Sequence, residues 1–157
     1  MRDEIDIRPA SVRDVFAVWA LERACFGPDA WGLLEVLAAL LTARVRLKAV
    51  TADERLIGFT TGEINAREGV AWIATLGVHP QFQRRGIGRR LLGVVEAHLT
   101  APKLKLTVCA SNTPAISLYE QFGYSQVSRL THYYTSGEDG IVMEKKRRVG
   151  SGAGKTD

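Results

Sequence analysis

Hydrophobic and polar residues recur along this chain with two periods, and the alternation between them predicts its secondary structure. Short apolar runs rich in β-branched residues predict strands at 5–9, 45–50, 56–64, 70–78 and 104–108, and a closing hairpin of 125–134 with 141–146. Helical spacing predicts four helices, which begin after Ser11, at Leu33, after Gly88 and near Pro114. The order β-α-α-β-β-β-α-β-α-β-β predicts an α/β (α+β) fold, a mixed central sheet of about seven strands with helices on its faces.

The helical periods also predict which side chains each helix buries. For the first helix these are Val12, Val15, Phe16, Trp19 and Leu21. For the second they are Leu33, Leu34, Leu37, Leu40 and Leu41. For the third they are Leu91, Leu92, Val95 and Leu99.

Composition places the chain among ordinary globular proteins. A chain of 157 residues, 46% hydrophobic and 24% charged, suits one domain with a sizeable core, expected at 1–148, followed by a flexible tail at 149–157. No apolar run is long enough to cross a bilayer and the first residues are too polar for a secretory signal, so the expected location is the cytoplasm. The net charge of +4 suits an anionic ligand without identifying it.

The turn from Gln83 to Gly88 is the strongest chemical signal. It lies between an apolar strand and a helix start, where backbone N–H groups lack partners and hold phosphate well. Two glycines let a ligand approach the backbone, and four nearby arginines add positive charge: Arg84, Arg85, Arg89 and Arg90. The turn therefore indicates a phosphate site rather than a plain strand-to-helix connection. Its spacing fits neither a Walker A loop nor a dinucleotide-binding fingerprint.

A second constellation runs from Asn112 to Tyr119 and ends in Phe122-Gly-Tyr124. Asn112 follows a predicted strand and precedes a helix, where a carboxamide either caps backbone groups or binds a ligand amide. Tyr119 on its own is better interpreted as a core tyrosine with a satisfied hydroxyl.

Taken together, the two constellations resemble the GCN5-related N-acetyltransferase family. The segment 78–92 resembles the coenzyme A motif of that family, and 112–124 resembles its Asn-x-x-Ala-x-x-Leu-Tyr-x-x-x-Gly-Phe/Tyr motif. The order of predicted elements matches as well. The resemblance implies acetyl-CoA as cosubstrate and direct acetyl transfer to an amine.

The resemblance also implies roles for individual residues. Contacts to the pantetheine arm and pyrophosphate would come from Leu76, Gly77, Val78, Arg84, Arg85, Gly86, Ile87, Gly88, Arg89 and Asn112. Tyr119 would act as the general acid that protonates the departing thiolate.

The last hairpin refines the resemblance. The segments 129–134 and 137–143 are similar to those of ribosomal-protein alanine N-acetyltransferases and related N-terminal acetyltransferases. This implies a peptide or protein N-terminus as acceptor, with that of a ribosomal protein as one candidate. An α-amine, with a pKa near 8, is easier to deprotonate than a lysine amine. Tyr133 and Tyr134 would line the peptide groove, although two amphipathic tyrosines at a sheet edge fit the pattern equally well.

One position departs from the resemblance. The bacterial ribosomal-protein enzymes carry a glutamate base five residues before the motif asparagine, and this chain has Thr107 there. A base elsewhere, a water chain to solvent, or another substrate would explain the change. Glu63 is the first replacement candidate and Glu22 the second.

Other functions remain open at this stage. A small-molecule or polyamine acetyltransferase, or a non-catalytic acetyl-CoA-binding module, is compatible with the same motifs. The histidines and cysteines lack metal-ligand spacing, so no metal is expected, and no base partner for Cys109 is evident. The basic segment 145–148 fits a solvated strand end better than a specific nucleic-acid site, and no membrane partner is expected.

Overall fold

The structure, a computed structural model that describes residues 4–147, has a seven-stranded sheet at its centre. The strands are β1 (Asp6–Pro9), β2 (Val45–Val50), β3 (Leu56–Asn65), β4 (Val70–Val78), β5 (Lys103–Cys109), β6 (Ser125–Leu130) and β7 (Gly140–Lys146). The helices are α1 (Val15–Phe26), α2 (Leu33–Thr42), α3 (Ile87–His98) and α4 (Thr113–Gln121). The predicted fold class and order of elements are confirmed. The tail predicted at 149–157 and the domain limit at 148 lie outside the described residues.

The sheet opens between its two central strands. Neighbouring strands follow the order β1-β2-β3-β4-β5-β7-β6, and β4 with β5 is the parallel pair. Their pairing runs from Val70 with Lys103 to Ile73 with Leu106, and both strands then continue unpaired with each other to Val78 and Cys109. A bulge in β4 opposite Thr61 and Gly62 lies where the pairing stops. The splay leaves a wedge-shaped opening between the two strand ends.

The two faces of the sheet carry different helices. α3 packs against one face through three fully buried residues, Leu91, Leu92 and Val95, as its period predicted. α1 and α2 form a smaller cluster on β3, made of Ala10, Val18, Leu21, Val36, Leu40 and Phe59. None of the helices in the described range is long and apolar enough to span a membrane.

The predicted faces of α1 and α2 are partly wrong. Leu34 and Leu41 are 79% and 59% exposed, and the buried residues of α2 are Val36 and Leu40. In α1, Phe16 is 67% exposed. Both helices carry apolar residues on more than one side, so their period alone does not select the face that meets the sheet.

The final hairpin is shorter than predicted, because its first strand ends at Leu130 instead of Tyr134. His132 adopts a left-handed backbone conformation with φ of 51°, which an extended strand does not allow. Asp139 holds this loop, since its carboxylate accepts the His132 N–H at 2.9 Å and the Arg129 Nε–H at 2.7 Å. Residues 131–139 therefore form a structured loop at the end of the opening.

Candidate active site

A cleft of about 810 Å³ occupies the opening between β4 and β5. Its walls come from the end of α1, the diverging ends of β4 and β5, the turn before α3, and α4. Such a volume is in the range of small-molecule and cofactor sites. The site residues expected from the sequence that line it are Leu76, Gly77, Val78, Arg84, Gly86, Ile87, Gly88, Arg89, Asn112, Tyr119 and Tyr134.

The turn before α3 forms one end of the cleft. Arg84 and Gly86 both adopt left-handed backbone conformations, with φ of 64° and 79°. The first backbone hydrogen bond of α3 joins the Arg90 N–H to the Gly86 carbonyl at 3.1 Å. The N–H groups of the three preceding residues, 87–89, therefore have no acceptor within the helix. Such N–H groups at a helix N-terminus attract phosphate. We call this end, residues 83–89, the donor end.

The arginines of the donor end differ in their placement. Arg84 and Arg89 line the cleft, and Arg89 also hydrogen-bonds Gln121 and lies over the ring of Phe122 at 5.7 Å. The Arg85 guanidinium stacks on Phe82 at 4.9 Å and is not part of the described cleft wall. The turn is fastened to β4 by the Gln83 side chain, which donates to the Val78 carbonyl at 3.0 Å.

The end of β4 is closely approached by α1. A Cβ on Gly77 would lie 3.2 Å from both Cys25 Sγ and the Phe26 ring, so this position has no room for a side chain without displacing them. The Cys25 thiol donates to the Val78 carbonyl at 3.3 Å. Burial raises the pKa of Cys25 to about 12, and the thiol therefore stays protonated and unreactive near neutral pH.

Helix α4 brings Asn112 and Tyr119 to the cleft. Asn112 is the N-cap, and its side-chain oxygen accepts the Ala115 N–H at 3.3 Å. Tyr119 is 6% exposed and packs edge-to-face on Tyr124, whose hydroxyl donates to Glu96 at 2.7 Å. Burial raises the pKa of Tyr119 to about 12. Its hydroxyl is thus a proton donor throughout the physiological range.

The two glutamates considered as bases occupy different environments. Glu22 is 2% exposed and lines the cleft, where it accepts hydrogen bonds from Thr75 Oγ1 at 3.0 Å and from the Trp31 N–H at 3.4 Å. Burial raises its pKa above the usual value. Glu63 is exposed on β3, opposite Trp72, at a level where β4 and β5 are still paired. The geometry brings Glu22 to the cleft and leaves Glu63 outside its wall.

The two tyrosines of the 131–139 loop also differ in their position relative to the cleft. Tyr134 lines the cleft, its hydroxyl donates to the Thr107 carbonyl at 3.4 Å, and burial raises its pKa. Tyr133 is 54% exposed and supports Tyr134 from outside, edge-to-face at 4.9 Å. The Tyr133 ring and the Thr107 methyl both occupy the space that a Cβ on Gly140 would need, at 3.0 and 2.9 Å.

The hydrogen bonds of two carboxylates at the cleft, Glu138 and Asp29, were not anticipated from the sequence. Cys109, expected to have no partner, donates its thiol proton to Glu138 Oε2 at 2.9 Å, and Ser111 donates to the same oxygen at 2.9 Å. Asp29 lines the cleft and accepts hydrogen bonds from the N–H and the Oγ of Ser136, at 2.8 and 2.9 Å. Asp29, Cys109 and Ser111 are far in sequence from the loop residues that they contact, so their contacts could not be predicted from the sequence. The one available signal was the similarity of segment 137–143 to the final hairpin of related enzymes.

The other part of the cleft wall comes from α1, the loop after it, the end of β5 and the 131–139 loop, and we call it the acceptor end; its residues include Glu22, Asp29, Thr107, Cys109, Ser111 and Tyr134. Within residues 4–147 there is no cluster of three or more histidine, cysteine, aspartate or glutamate side chains suited to a metal ion.

A splayed sheet with a phosphate-binding turn at its open edge and a tyrosine beside it is the architecture of an acyl-CoA-dependent transferase. The family model for the acetyltransferase (GNAT) family matches residues 16–124, and the chain belongs to this family.

Individual relatives narrow the comparison. The chain is 33% identical over 98 residues to the N-terminal acetyltransferase B complex catalytic subunit NAA20 of Arabidopsis thaliana, covering 58% of this chain and 56% of that protein. It is 37% identical over 100 residues to the ribosomal protein bS18-alanine N-acetyltransferase of Salmonella typhimurium, covering 60% of this chain and 66% of that protein. The chain thus matches less than two thirds of the length of either protein.

The solved structures agree on the fold. The ribosomal-protein-S18-alanine N-acetyltransferase of Escherichia coli superposes with a TM-score of 0.84 at 24% identity, over 98% of this chain and 99% of that one. Arabidopsis thaliana NAA60 in complex with acetyl-CoA superposes with a TM-score of 0.77 at 22% identity, over 91% and 98%.

Proposed function

We propose that this protein is an acetyl-CoA-dependent N-acetyltransferase that modifies the N-terminal α-amine of a peptide or protein. The observation that carries the proposal is one continuous cleft, which joins a phosphate-binding turn at the donor end to a buried, protonated tyrosine and a carboxylate-rich acceptor end. Relatives named as N-terminal and ribosomal-protein-alanine acetyltransferases support the same acceptor class.

The donor end would hold the cosubstrate through its backbone. The amides of Ile87, Gly88 and Arg89 would bind the pyrophosphate, with Arg84 adding charge. The unpaired edge of β4 from Leu76 to Val78 would pair with the amide groups of the pantetheine arm, as an added strand pairs with a sheet edge. Asn112 would orient the arm at the start of α4, and Arg85 would contribute charge from beside the cleft.

Transfer would proceed directly from the thioester to the amine. The neutral amine attacks the acetyl carbon to form a tetrahedral intermediate, whose collapse breaks the carbon–sulfur bond while Tyr119 gives its proton to the departing thiolate. The proton that the nitrogen loses on becoming an amide then restores the Tyr119 hydroxyl. The raised pKa of Tyr119 suits this role, because the hydroxyl is never lost to ionisation at neutral pH. Tyr134 and, behind it, Tyr133 would border the acceptor peptide.

Glu22 is the better placed carboxylate for removing the ammonium proton. It borders the cleft, its two oxygens are fixed by Thr75 and Trp31, and its raised pKa makes it a stronger base than an exposed glutamate. Glu63 is exposed and lies outside the cleft wall. We therefore propose Glu22 as the base. We also propose that the protein acts in the cytoplasm and that a ribosomal protein is one candidate acceptor.

The test is turnover of acetyl-CoA with short peptides that have a free N-terminal alanine. A thiol reagent follows release of coenzyme A, and fragmentation mass spectrometry locates the added acetyl group on the α-amine. The same peptide with a blocked N-terminus and an internal lysine is the control and should stay unmodified. Turnover of polyamines or small amines in place of every peptide would reassign the acceptor, and stabilisation by acetyl-CoA without any turnover would indicate a binding module.

A further inference from the structure

The acceptor end of the cleft is bordered by two loops of uniform charge. The loop between α1 and α2, residues 27–32, and the loop 131–139 together contain three carboxylates and neither lysine nor arginine. The carboxylates are Asp29, Glu138 and Asp139. Asp139 is neutralised by Arg129 at 2.7 Å, whereas Asp29 and Glu138 add their carboxylates to that of Glu22 at the acceptor end.

The two loops are fixed to each other. Ser136 donates its N–H and its hydroxyl to the two oxygens of Asp29, and its hydroxyl oxygen also accepts the Glu138 N–H at 3.4 Å. A chain of hydrogen bonds therefore links Asp29 to Glu138 through Ser136. Ser136 therefore fixes the carboxylate of Asp29 and the backbone of Glu138 relative to each other.

The Glu138 carboxylate also accepts hydrogen bonds from two residues of the cleft wall. Its Oε2 receives both the Cys109 thiol and the Ser111 hydroxyl at 2.9 Å, and these two residues line the cleft. In the cleft wall that the structure describes, the lysine and arginine residues are Arg84 and Arg89, both at the donor end. A negative group on an acceptor would meet Asp29 and Glu138 there without a lysine or arginine from the described wall to offset it.

We propose that Asp29 and Glu138 select acceptors by charge, favouring N-termini with neutral or basic residues after the first position and rejecting acidic ones. This inference rests on the proposed N-terminal acetylation and specifies its substrate class. The ammonium group and any basic side chain are attracted to the two carboxylates, and a second-position aspartate or glutamate is repelled by them.

The first experiment compares three peptides that begin with alanine and differ only at positions two and three, which are both arginine, both serine or both glutamate. We expect kcat/KM to fall in that order, with the glutamate peptide at least roughly tenfold below the serine peptide at low salt. The gap should narrow at higher ionic strength, since it arises from charge near the surface. Equal rates for the three peptides, or preference for glutamate, would overturn the inference while leaving N-acetylation intact. If no peptide is acetylated, the proposed function fails and the inference falls with it.

The second experiment removes the charges while keeping the hydrogen-bonding shape. In Asp29→Asn and Glu138→Gln the remaining oxygen accepts and the new amide donates, so Ser136, Cys109 and Ser111 keep partners. We expect the ratio of serine to glutamate peptide kcat/KM to shrink several-fold in each variant and further in the double variant, mainly through KM of the glutamate peptide.

The matched control is Glu68→Gln, which removes one exposed charge in the turn at the far end of β4. The control should leave the ratio unchanged, since Glu68 lies away from the cleft. The double variant must still be stabilised against heat by acetyl-CoA. If its ratio of serine to glutamate peptide kcat/KM is then unchanged, these two carboxylates do not determine acceptor selectivity.

Discussion

The two ends of the cleft are built in different ways. The donor end is one contiguous turn, residues 83–89, whose proposed phosphate-binding groups are the backbone amides at the start of α3. The acceptor end is assembled from α1, the loop after it, the end of β5 and the 131–139 loop, and its groups are side chains. The difference matters because backbone amides bind any phosphate in the right place, whereas converging side chains can discriminate among acceptors.

Tyr119 lines the same cleft as the residues of both ends. It belongs to α4, which Asn112 caps, and its burial sets its protonation state. A change there should affect chemistry without affecting either binding end. Changes at Glu22 or Gly86 should affect one end each. Four predictions test these three residues, from the largest expected effect to the smallest.

Tyr119→Phe should lower kcat by about a hundredfold or more, because the thiolate would leave without its proton donor. Acetyl-CoA affinity, measured by calorimetry, should change little. The control is Tyr124→Phe, which removes a buried hydrogen bond to Glu96 and should lower the free energy of unfolding by about 1–2 kcal/mol with a smaller loss of kcat. A wild-type kcat in Tyr119→Phe would remove this residue from the acid role.

Glu22→Gln should reduce kcat/KM by roughly tenfold at neutral pH and abolish the acidic limb of its pH profile. In the wild type that limb arises as Glu22 becomes protonated below its raised pKa. Glu63→Gln, which removes an exposed charge outside the cleft wall, is the matched control and should keep the wild-type profile. The reverse result would return the base to Glu63.

The same variant should alter stability with a definite sign. Burial raises the folded-state pKa of Glu22 above its unfolded value, so its stabilising contribution is present below the unfolded pKa and is lost as pH rises through the folded pKa. Glu22→Gln should therefore match or exceed wild-type stability at pH 8, by about 1 kcal/mol, and gain nothing at pH 4. Thermal melts at both pH values measure the difference, and a large loss of stability at pH 8 would contradict it.

Gly86→Val should weaken acetyl-CoA binding several-fold and cost about 1–2 kcal/mol of stability, since a β-branched residue resists the left-handed conformation at φ of 79°. No neighbouring atom lies within 4 Å of the added Cβ, so the effect arises from the backbone rather than from a clash. Gly93→Ala within α3 is the control and should stabilise slightly without changing affinity. Unaltered binding in Gly86→Val would show that the turn conformation is not needed at the donor end.

The helices show when hydrophobic periodicity predicts the buried face of a helix and when it does not. The buried face of α3 followed directly from its pattern, because its polar and apolar residues lie on opposite sides. α2 is apolar on more than one side, and the sheet beneath it selected Val36 and Leu40 over Leu34 and Leu41. A period predicts a face only when one side of the helix is clearly polar.

The base candidates show the same limit at the site. Glu22 and Glu63 are both glutamates in predicted regular elements, and the sequence placed Glu63 first. The bulge in β4 turns Thr75 toward α1, where its hydroxyl binds Glu22, and Glu63 lies below the splay beside Trp72. The ranking depends on where two strands separate, which no short segment encodes.

By itself, the sequence determined the order of elements, the donor turn and the Asn112–Tyr119 helix, because each is a contiguous segment whose backbone conformation is set locally. Only the tertiary structure decided the acceptor end. Glu22, Asp29, Cys109, Tyr134 and Glu138 are spread over more than a hundred positions. They converge only after the β4–β5 splay and the 131–139 loop have formed, because contacts between distant side chains depend on strand register and loop packing rather than on neighbouring residues.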